Sequence, residues 1–292
     1  MINLRRRLIG AAALIGLVLV TLLYLPLWAF VVVLFAFVAG ALYEFFTMVR
    51  HRGILVHRPL SIGLGLIFTG LVAWRSLVRP GLMPTMIFGP GSSAVSWMWD
   101  IFWPATIIVI FIRQFTRENT FEALGGLATT LFGLAYVAAL FSYFFYLRAM
   151  KSVDGRFLIL YLILVTKMGD AGAYAIGSLL GRHTLMARIS PRKTVEGFVG
   201  AVAVSAITAV IAQPLLSGQQ IFGQSPALPL SLLLGALLGF CGQLGDLAES
   251  LLKRDCQVKD TGSVIPGLGG VLDVIDSLLF TAPLFYGILI YG

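Results

Sequence analysis

The feature that most constrains this chain is a series of apolar runs, each about as long as a helix that crosses a lipid bilayer. The 292 residues are 59% hydrophobic and 12% charged, with a mean hydropathy of +0.94. Soluble globular chains are nearer half apolar and a quarter charged. A hydrocarbon core about 30 Å thick is spanned by a helix of roughly 20 predominantly apolar residues. The sequence therefore predicts an all-α polytopic membrane protein.

Counting the runs predicts about nine transmembrane helices. The third and fourth runs are the weakest, because Arg75 and Asp100 lie at their ends. We divide the chain into an N-terminal scaffold of about five spans, residues 1–156, and a C-terminal catalytic region of about four, residues 157–292, within one integral membrane unit. The stretch 80–95 is predicted to be an irregular external loop or a re-entrant piece. The predicted spans are about 8–24, 26–46, 61–78, 97–112, 124–147, 157–180, 197–216, 228–250 and 271–291.

The positive charges indicate how the helices are oriented. With the N-terminus in the cytoplasm, 15 of the 21 Lys and Arg residues lie on the cytoplasmic side, five lie outside, and Lys167 lies within a span. This excess follows the positive-inside rule. We predict a multi-pass protein of the cell (inner) membrane, with its active site facing the cytoplasm. The net charge of +8 comes from residues scattered between apolar runs, so we expect no nucleic-acid partner.

The sixth predicted span carries two ionisable residues, which are costly inside a bilayer and indicate a functional site by default. Lys167 and Asp170 are three residues apart and therefore neighbours on one helical face, and Tyr174 follows one turn after Asp170. One interpretation is a polar site that opens toward the following cytoplasmic loop. The alternative is a buried ion pair that holds helices in register.

A basic segment flanked by glycine follows this span and leads into the next one. Its cationic side chains, together with free backbone N–H groups at a helix start, favour an anion. Ser190 before Pro191 is interpreted as the start of the next helix, and Thr194 with Glu196 as the cap of its first turn. The alternative is an ordinary positive-inside loop. That alternative explains arginines such as Arg182, but not the order Ser-Pro-Arg-Lys-Thr-x-Glu-Gly.

The densest group of polar residues lies between the last two predicted spans. Asp273 and Asp276 share a helical face at the start of the ninth span, and a Pro-Gly-x-Gly-Gly turn precedes them, whose backbone can approach a phosphate closely. Such carboxylates suit Mg²⁺, and two ions about 3.5–4 Å apart would stabilise an in-line phosphoryl displacement. Helix-end charges at the interface are the alternative, but they do not explain four acids that point into spans. The stripe at the end of the eighth span consists of Asp246, Glu249, Ser250 and Lys253.

The order of these motifs resembles the phosphatidate cytidylyltransferase (CDP-diacylglycerol synthase) family. From Asp246 to Ser277 the chain has Gly-Asp, Ser-x-x-Lys-Arg, Lys-Asp-x-Gly, Pro-Gly-x-Gly-Gly and Leu-Asp-x-x-Asp-Ser. Asp170–Tyr174 and the segment 190–197 resemble the family's upstream motifs, so the resemblance covers about residues 165–285 in order. It implies an enzyme that transfers CMP from CTP to phosphatidic acid, with Mg²⁺, and releases pyrophosphate.

The resemblance also implies a role for each matching residue. The implied catalytic residues are Asp246, Asp273, Lys259 and Asp260, and the implied ligands of two Mg²⁺ ions are Asp246, Asp273 and Asp276. CTP and phosphatidic acid are the implied substrates, the lipid bilayer is the surrounding partner, and a homodimer is compatible with this interpretation. The implied substrate-binding residues are Asp170, Tyr174, Ser190, Arg192, Lys193, Thr194, Glu196, Ser250, Lys253, Arg254, Gly267, Gly269 and Gly270.

Two positions depart from the family pattern. Leu268 stands where the family usually has His, and Val274 where it usually has Arg, so two groups that could contact phosphate are missing. The acids and the glycine-rich turn remain, which favours an active enzyme. Two alternatives stay open: a related lipid nucleotidyl- or phosphotransferase, of the CDP-archaeol synthase or polyprenol kinase type, and a non-catalytic polytopic carrier. Carriers often have paired halves, and this chain has no detectable repeat.

Overall fold

The computed structural model describes residues 2–78, 97–116, 123–150, 154–216, 227–262, 264–265, 267 and 269–291. Almost all of the described chain is helical, and the predicted loop at 80–95 lies outside it. The helices are α1 (Ile2–Leu23), α2 (Leu27–His51), α3 (Arg58–Val78), α4 (Trp97–Phe115), α5 (Ala123–Gly133), α6 (Tyr143–Arg148), α7 (Gly155–Leu180), α8 (Val195–Ile211), α9 (Leu228–Asp255) and α10 (Val271–Tyr291). A π-helical segment, Leu134–Ala139, joins α5 to α6, and a 3₁₀ turn, Gln213–Leu216, follows α8.

Six of the described helical stretches are long and apolar enough to cross a membrane. Three further helices within the described residues are apolar but shorter, at Ile9–Leu23, Ile101–Phe115 and Val195–Ile211. All nine coincide with predicted runs, and the fifth run is α5, the π-helical segment and α6 taken together. The prediction of an all-α polytopic membrane protein is therefore confirmed.

Helices α7, α8, α9 and α10 form one closely packed unit, with α8 between α7 and α9. Glycine permits this approach: a Cβ atom on Gly169 of α7 would lie 2.2 Å from Ser205 Oγ of α8, and one on Gly239 of α9 would lie 2.7 Å from the same oxygen. Lipid tails are as apolar as leucine side chains, so apolar burial does not drive helices together in a membrane. They associate instead through close packing at small residues. This packing brings the polar faces of α7, α9 and α10 together.

Helix α2 connects this unit to the N-terminal half of the chain. It packs against α3, the π-helical segment and α10. Phe45 and Phe46 of α2 are almost fully buried, with their rings 5.2 Å apart and edge to face, an arrangement that aromatic pairs prefer. The N-terminal helices and α10 consequently share one apolar core.

A short β-hairpin lies between α7 and α8, where the sequence suggested the start of a helix. Strand β1 (Thr184–Met186) pairs antiparallel with β2 (Ser190–Thr194). The interpretation of Ser190–Pro191 as a helix start is therefore wrong: both residues belong to β2. In a two-stranded ribbon every strand is an edge, so proline is tolerated there.

The predicted cap of α8 is confirmed for Thr194. Its Oγ1 accepts a hydrogen bond from the N–H of Gly197 at 3.1 Å. The carboxylate of Glu196 has another function, since it accepts hydrogen bonds from the N–H groups of Arg182 and His183 and contacts His183 Nδ1 at 2.6 Å. Glu196 thus fixes the point where the chain leaves α7 and enters the hairpin.

Candidate active site

The candidate site is built where the end of α9 runs antiparallel to the start of α10. A Cβ on Gly245 of α9 would lie 2.5 Å from the carbonyl oxygen of Asp276 on α10, so glycine is needed for the two backbones to approach so closely. Polar residues on α9 recur every three or four positions from Gln243 to Lys253, and those on α10 run from Asp273 to Ser277 in the opposite direction. The two polar faces therefore meet in successive layers.

The first layer, farthest from the loop between α9 and α10, is centred on Asp170 of α7. Lys167 Nζ lies 3.0 Å from Asp170 Oδ2, as the i, i+3 spacing predicts, and donates to Ser277 Oγ at 2.8 Å. Asp170 also accepts hydrogen bonds from Ser277 Oγ at 3.1 Å and from Gln243 Nε2 at 3.3 Å. One carboxylate thus joins α7, α9 and α10.

The middle layer is an acidic cluster formed by Asp246 and Glu249 of α9 and Asp276 of α10. One carboxylate oxygen from each lies within 4.8 Å of the others. Glu249 and Asp276 are buried, and Glu249 Oε1 has no hydrogen-bond partner among the described residues. A buried acceptor without a partner is costly, so this oxygen is a candidate ligand atom.

The acidic cluster fits a divalent metal by the chemistry of its donors. Hard cations such as Mg²⁺ bind carboxylate oxygens and keep several waters. The donor set differs from the implied one, because Glu249 belongs to the cluster and Asp273 does not. The oxygens of Asp273 are instead occupied by hydrogen bonds from the protein.

The third layer, next to the loop between α9 and α10, is organised by Asp273. Lys253 Nζ donates to Asp273 Oδ1 at 2.8 Å and to Glu249 Oε2 at 2.6 Å, and so links this layer to the acidic cluster. Asp273 Oδ2 accepts from Thr261 Oγ1 at 2.9 Å, from the N–H of Thr261 at 3.2 Å and from the N–H of Gly270 at 2.7 Å. Asp273 therefore holds the loop between α9 and α10.

A second carboxylate, from the N-terminal half, holds the same loop. Glu44 of α2 is 2% exposed. It accepts hydrogen bonds from the N–H groups of Val271 and Leu272, each at 2.9 Å, and contacts Thr261 Oγ1 at 3.1 Å. The start of α10 is the positive end of the helix dipole, and its free N–H groups stabilise the negative charge of Glu44.

These contacts explain the glycines of the turn before α10. Gly267 and Gly269 have φ of +80° and +104°, a region that side-chain-bearing residues rarely adopt. A Cβ on Gly270 would lie 2.4 Å from Glu44 Oε2. The N–H of Gly269 donates a hydrogen bond to the carbonyl oxygen of Ile265, and the N–H of Gly270 donates one to Asp273 Oδ2. Neither N–H is therefore free to bind a phosphate.

Two basic side chains join the hairpin to the rim of the site. Lys193 Nζ lies 2.8 Å from Asp246 Oδ2, which ties β2 to the acidic cluster. Arg254, at the end of α9, donates to the carbonyl oxygen of Ile189 at 3.1 Å. These two contacts hold the hairpin against the end of α9, beside the acidic centre.

Not every residue implied by the motifs joins these layers. Tyr174 is 80% exposed on α7, and Lys259 and Asp260 are exposed in the loop after α9. Arg192 is exposed on the hairpin, and Ser250 is half-buried on α9. Of the two departures from the family pattern, Val274 packs half-buried against the apolar core, and Leu268 lies outside the described residues.

Conversely, several residues of the site were not singled out from the sequence. They are Glu44, Gln243 and Thr261. Glu249 was singled out, but not as a metal ligand. Glu44 could have been found, since it is an acidic residue within the second predicted span and falls under the same rule as Lys167 and Asp170. Gln243 and Thr261 are ordinary polar residues, whose role emerges only when the helices are packed.

The fold and the three layers together define a polytopic membrane protein with a buried acidic centre that could hold a metal. The chain belongs to the cytidylyltransferase family, whose model matches residues 5–291. It is 33% identical over 292 residues to a phosphatidate cytidylyltransferase of Bacillus subtilis (strain 168), covering 99% of this chain and 98% of that protein. It is also 39% identical over 201 residues to a phosphatidate cytidylyltransferase of Staphylococcus haemolyticus (strain JCSC1435), covering 68% of this chain and 73% of that one. A third relative, the uncharacterized protein YnbB of Escherichia coli (strain K12), is 38% identical over 161 residues, covering 55% of this chain and 50% of that protein.

Proposed function

We propose that this protein is a phosphatidate cytidylyltransferase, a nucleotidyltransferase that makes CDP-diacylglycerol from CTP and phosphatidic acid. The observation that carries the proposal is the acidic cluster of Asp246, Glu249 and Asp276, found in a chain that belongs to the cytidylyltransferase family. The names of its relatives in Bacillus and Staphylococcus supply the substrate class.

The charge of the site supports a metal-dependent reaction. With Glu44 and the hairpin's Lys193 included, the described residues of the site contribute six carboxylates and three ammonium groups, while both proposed substrates are anions. A divalent cation would therefore favour the approach of a triphosphate. The carboxylates are those of Glu44, Asp170, Asp246, Glu249, Asp273 and Asp276, and the ammonium groups are those of Lys167, Lys193 and Lys253.

Asp246, Glu249 and Asp276 are the proposed ligands of Mg²⁺. When bound, the ion would neutralise phosphate oxygens and so stabilise the charge that develops during phosphoryl displacement. This is the one group of three such side chains among the described residues. We also propose a second Mg²⁺ ion, as the sequence predicts, which would share these ligands.

The proposed chemistry is a single displacement at phosphorus. An oxygen of the phosphatidate headgroup forms a bond to the α-phosphorus of CTP, the bond from that phosphorus to the bridging oxygen breaks, and pyrophosphate leaves with the electron pair. The nucleophile is already an anion, so little acid–base catalysis is needed, and positioning and charge neutralisation supply most of the rate. Lys193, Lys253, Arg254, Lys259 and Arg192 are the proposed cations around the phosphates.

We further propose that the site faces the cytoplasm, where CTP is available, and that phosphatidate reaches it laterally from the inner leaflet. The hairpin, which carries Lys193, contacts the end of α9, which carries Arg254, so these positive charges lie at one end of the helices, as the positive-inside rule expects of the cytoplasmic side.

An assay of the purified protein in detergent tests the proposal. With CTP, Mg²⁺ and phosphatidate we expect CDP-diacylglycerol and pyrophosphate in equal amounts, and none after chelation of the metal. Asp276→Asn is expected to abolish turnover while the protein remains folded. Phosphorylation of a polyprenol instead of transfer to phosphatidate would favour the related phosphotransferase, and transport of a lipid without product would favour the carrier.

A further inference from the structure

We infer that Glu44, in the N-terminal half of the chain, is a positioning residue for the metal centre. This inference rests on the proposed function, because it concerns the metal ligands proposed above. Glu44 does not belong to that cluster of Asp246, Glu249 and Asp276. It acts on the cluster through a continuous series of hydrogen bonds.

The series begins where α2 meets the start of α10. Glu44 accepts the N–H groups of Val271 and Leu272, and so fixes the first turn of α10 relative to α2. It also contacts Thr261 Oγ1, which lies 2.9 Å from Asp273 Oδ2. Thr261 has a single hydroxyl proton, which Glu44 and Asp273 must share.

From Asp273 the series continues to the cluster itself. Lys253 joins Asp273 Oδ1 to Glu249 Oε2, and the other oxygen of Glu249 is the one that has no partner among the described residues. The orientation of this oxygen therefore depends on Lys253, on Asp273 and finally on Glu44. Partners bonded directly to a metal ligand typically change metal affinity or activity by about 10–100-fold when they are removed, and Glu44, which acts through Thr261, Asp273 and Lys253, is expected at the lower end of that range.

The close packing around Glu44 indicates that its carboxylate is specifically accommodated. A Cβ on Gly262 would lie 2.5 Å from Glu44 Oε1, and one on Gly270 would lie 2.4 Å from Oε2. An amide at this position is a poor substitute, because one end would direct N–H groups toward the N–H of Val271 or Leu272. Glu44→Gln therefore removes a contact and keeps the volume.

The experiment measures metal binding and turnover separately. Wild type, Glu44→Gln, Glu44→Asp and the control Leu42→Ala are purified in detergent, and Mn²⁺ binding is followed by electron paramagnetic resonance without substrate. Leu42 is fully buried on the same helix but lies outside the polar layers. Amide hydrogen exchange of residues 259–273 and steady-state kinetics with CTP and Mg²⁺ are measured in parallel.

We expect Glu44→Gln to weaken Mn²⁺ binding about tenfold, to speed exchange in residues 259–273 and to lower kcat more than it raises the KM for CTP. Glu44→Asp should recover part of the metal affinity, since it restores the charge. Leu42→Ala should lower Tm and leave the Mn²⁺ affinity unchanged. Unchanged Mn²⁺ binding in Glu44→Gln, or an equal loss in Leu42→Ala, overturns the inference. A wild type that binds Mn²⁺ but makes no CDP-diacylglycerol overturns the proposed function, and the Mn²⁺ comparison still decides the role of Glu44.

Discussion

Lys253 joins two carboxylates on different helices, with Nζ 2.6 Å from Glu249 Oε2 on its own helix and 2.8 Å from Asp273 Oδ1 on α10. Its side chain is 13% exposed, so this ion pair is partly withdrawn from solvent. Removing one partner of a buried ion pair leaves uncompensated charge, which costs far more than the loss of an exposed pair. Lys253 is therefore important for the folded state as well as for the proposed reaction.

Lys253→Met is expected to lower the free energy of unfolding by about 3–5 kcal/mol, because it leaves Glu249 and Asp273 without their shared cation. Arg52→Met is the matched control. Arg52 pairs with Asp255 at the end of the same helix, but both side chains are about half exposed, and such pairs contribute at most about 1 kcal/mol. Unfolding in detergent compares the two variants. Equal losses would contradict a structural role for the Lys253 bridge.

The assignment of metal ligands is tested by comparing Glu249→Gln with Asp273→Asn. Glu249 belongs to the acidic cluster, whereas the oxygens of Asp273 are bonded to Lys253, Thr261 and Gly270. We expect Glu249→Gln to raise the Mg²⁺ concentration for half-maximal turnover by more than about tenfold, and Asp273→Asn to raise it less. The reverse order would restore Asp273 to the metal site, as the sequence implied.

The close approach of α8 and α9 predicts a sensitive glycine. A Cβ on Gly235 would lie 2.5 Å from the carbonyl oxygen of Ser205, a backbone atom that cannot rotate away. We expect Gly235→Ala to destabilise the fold by about 1–3 kcal/mol, as overpacking does. Gly63→Ala is the control, since a Cβ there meets nothing within 4 Å. Tm values that fall equally for the two variants would argue against this packing.

The orientation is tested with single cysteines at Tyr24 and Arg192, in a protein whose Cys241 and Cys256 are replaced. Tyr24 is 80% exposed between α1 and α2, which the sequence predicts to be outside, and Arg192 is on the predicted cytoplasmic hairpin. A membrane-impermeant maleimide should label position 24 in intact cells, and position 192 only after permeabilisation. Labelling of position 192 from outside would separate the proposed site from cytoplasmic CTP.

Much of the fold follows from local properties of the sequence, which explains why it was predictable. The length and hydropathy of a run are read within about 20 residues, and all nine predicted runs are apolar helices in the structure. The spacing of Lys167 and Asp170 likewise fixes their contact before any packing is known. The hairpin was missed because two strands of three and five residues leave no periodic pattern.

The polar network could be predicted only in part, because it depends on contacts between distant segments. Asp246 and Asp276 were identified as candidate ligands, but the choice of Glu249 over Asp273 depends on which side chains Lys253 and Thr261 occupy. The glycine-rich turn was interpreted as a phosphate-binding turn, whereas in the structure it packs against the carboxylate of Asp273 and, at Gly270, against that of Glu44. That residue is more than 200 positions away from the turn, and no local pattern connects them.

The position of Glu44 also determines how the protein can be divided. A fragment that begins after α6 would retain every carboxylate of the acidic cluster, yet the N–H groups of Val271 and Leu272 would lose their acceptor. Unpaired donors in a water-poor interface are costly, and the glycines that accommodate the carboxylate would border a void. We therefore expect the C-terminal half alone to be inactive, and separately expressed halves to regain metal binding only when both are present in the same membrane.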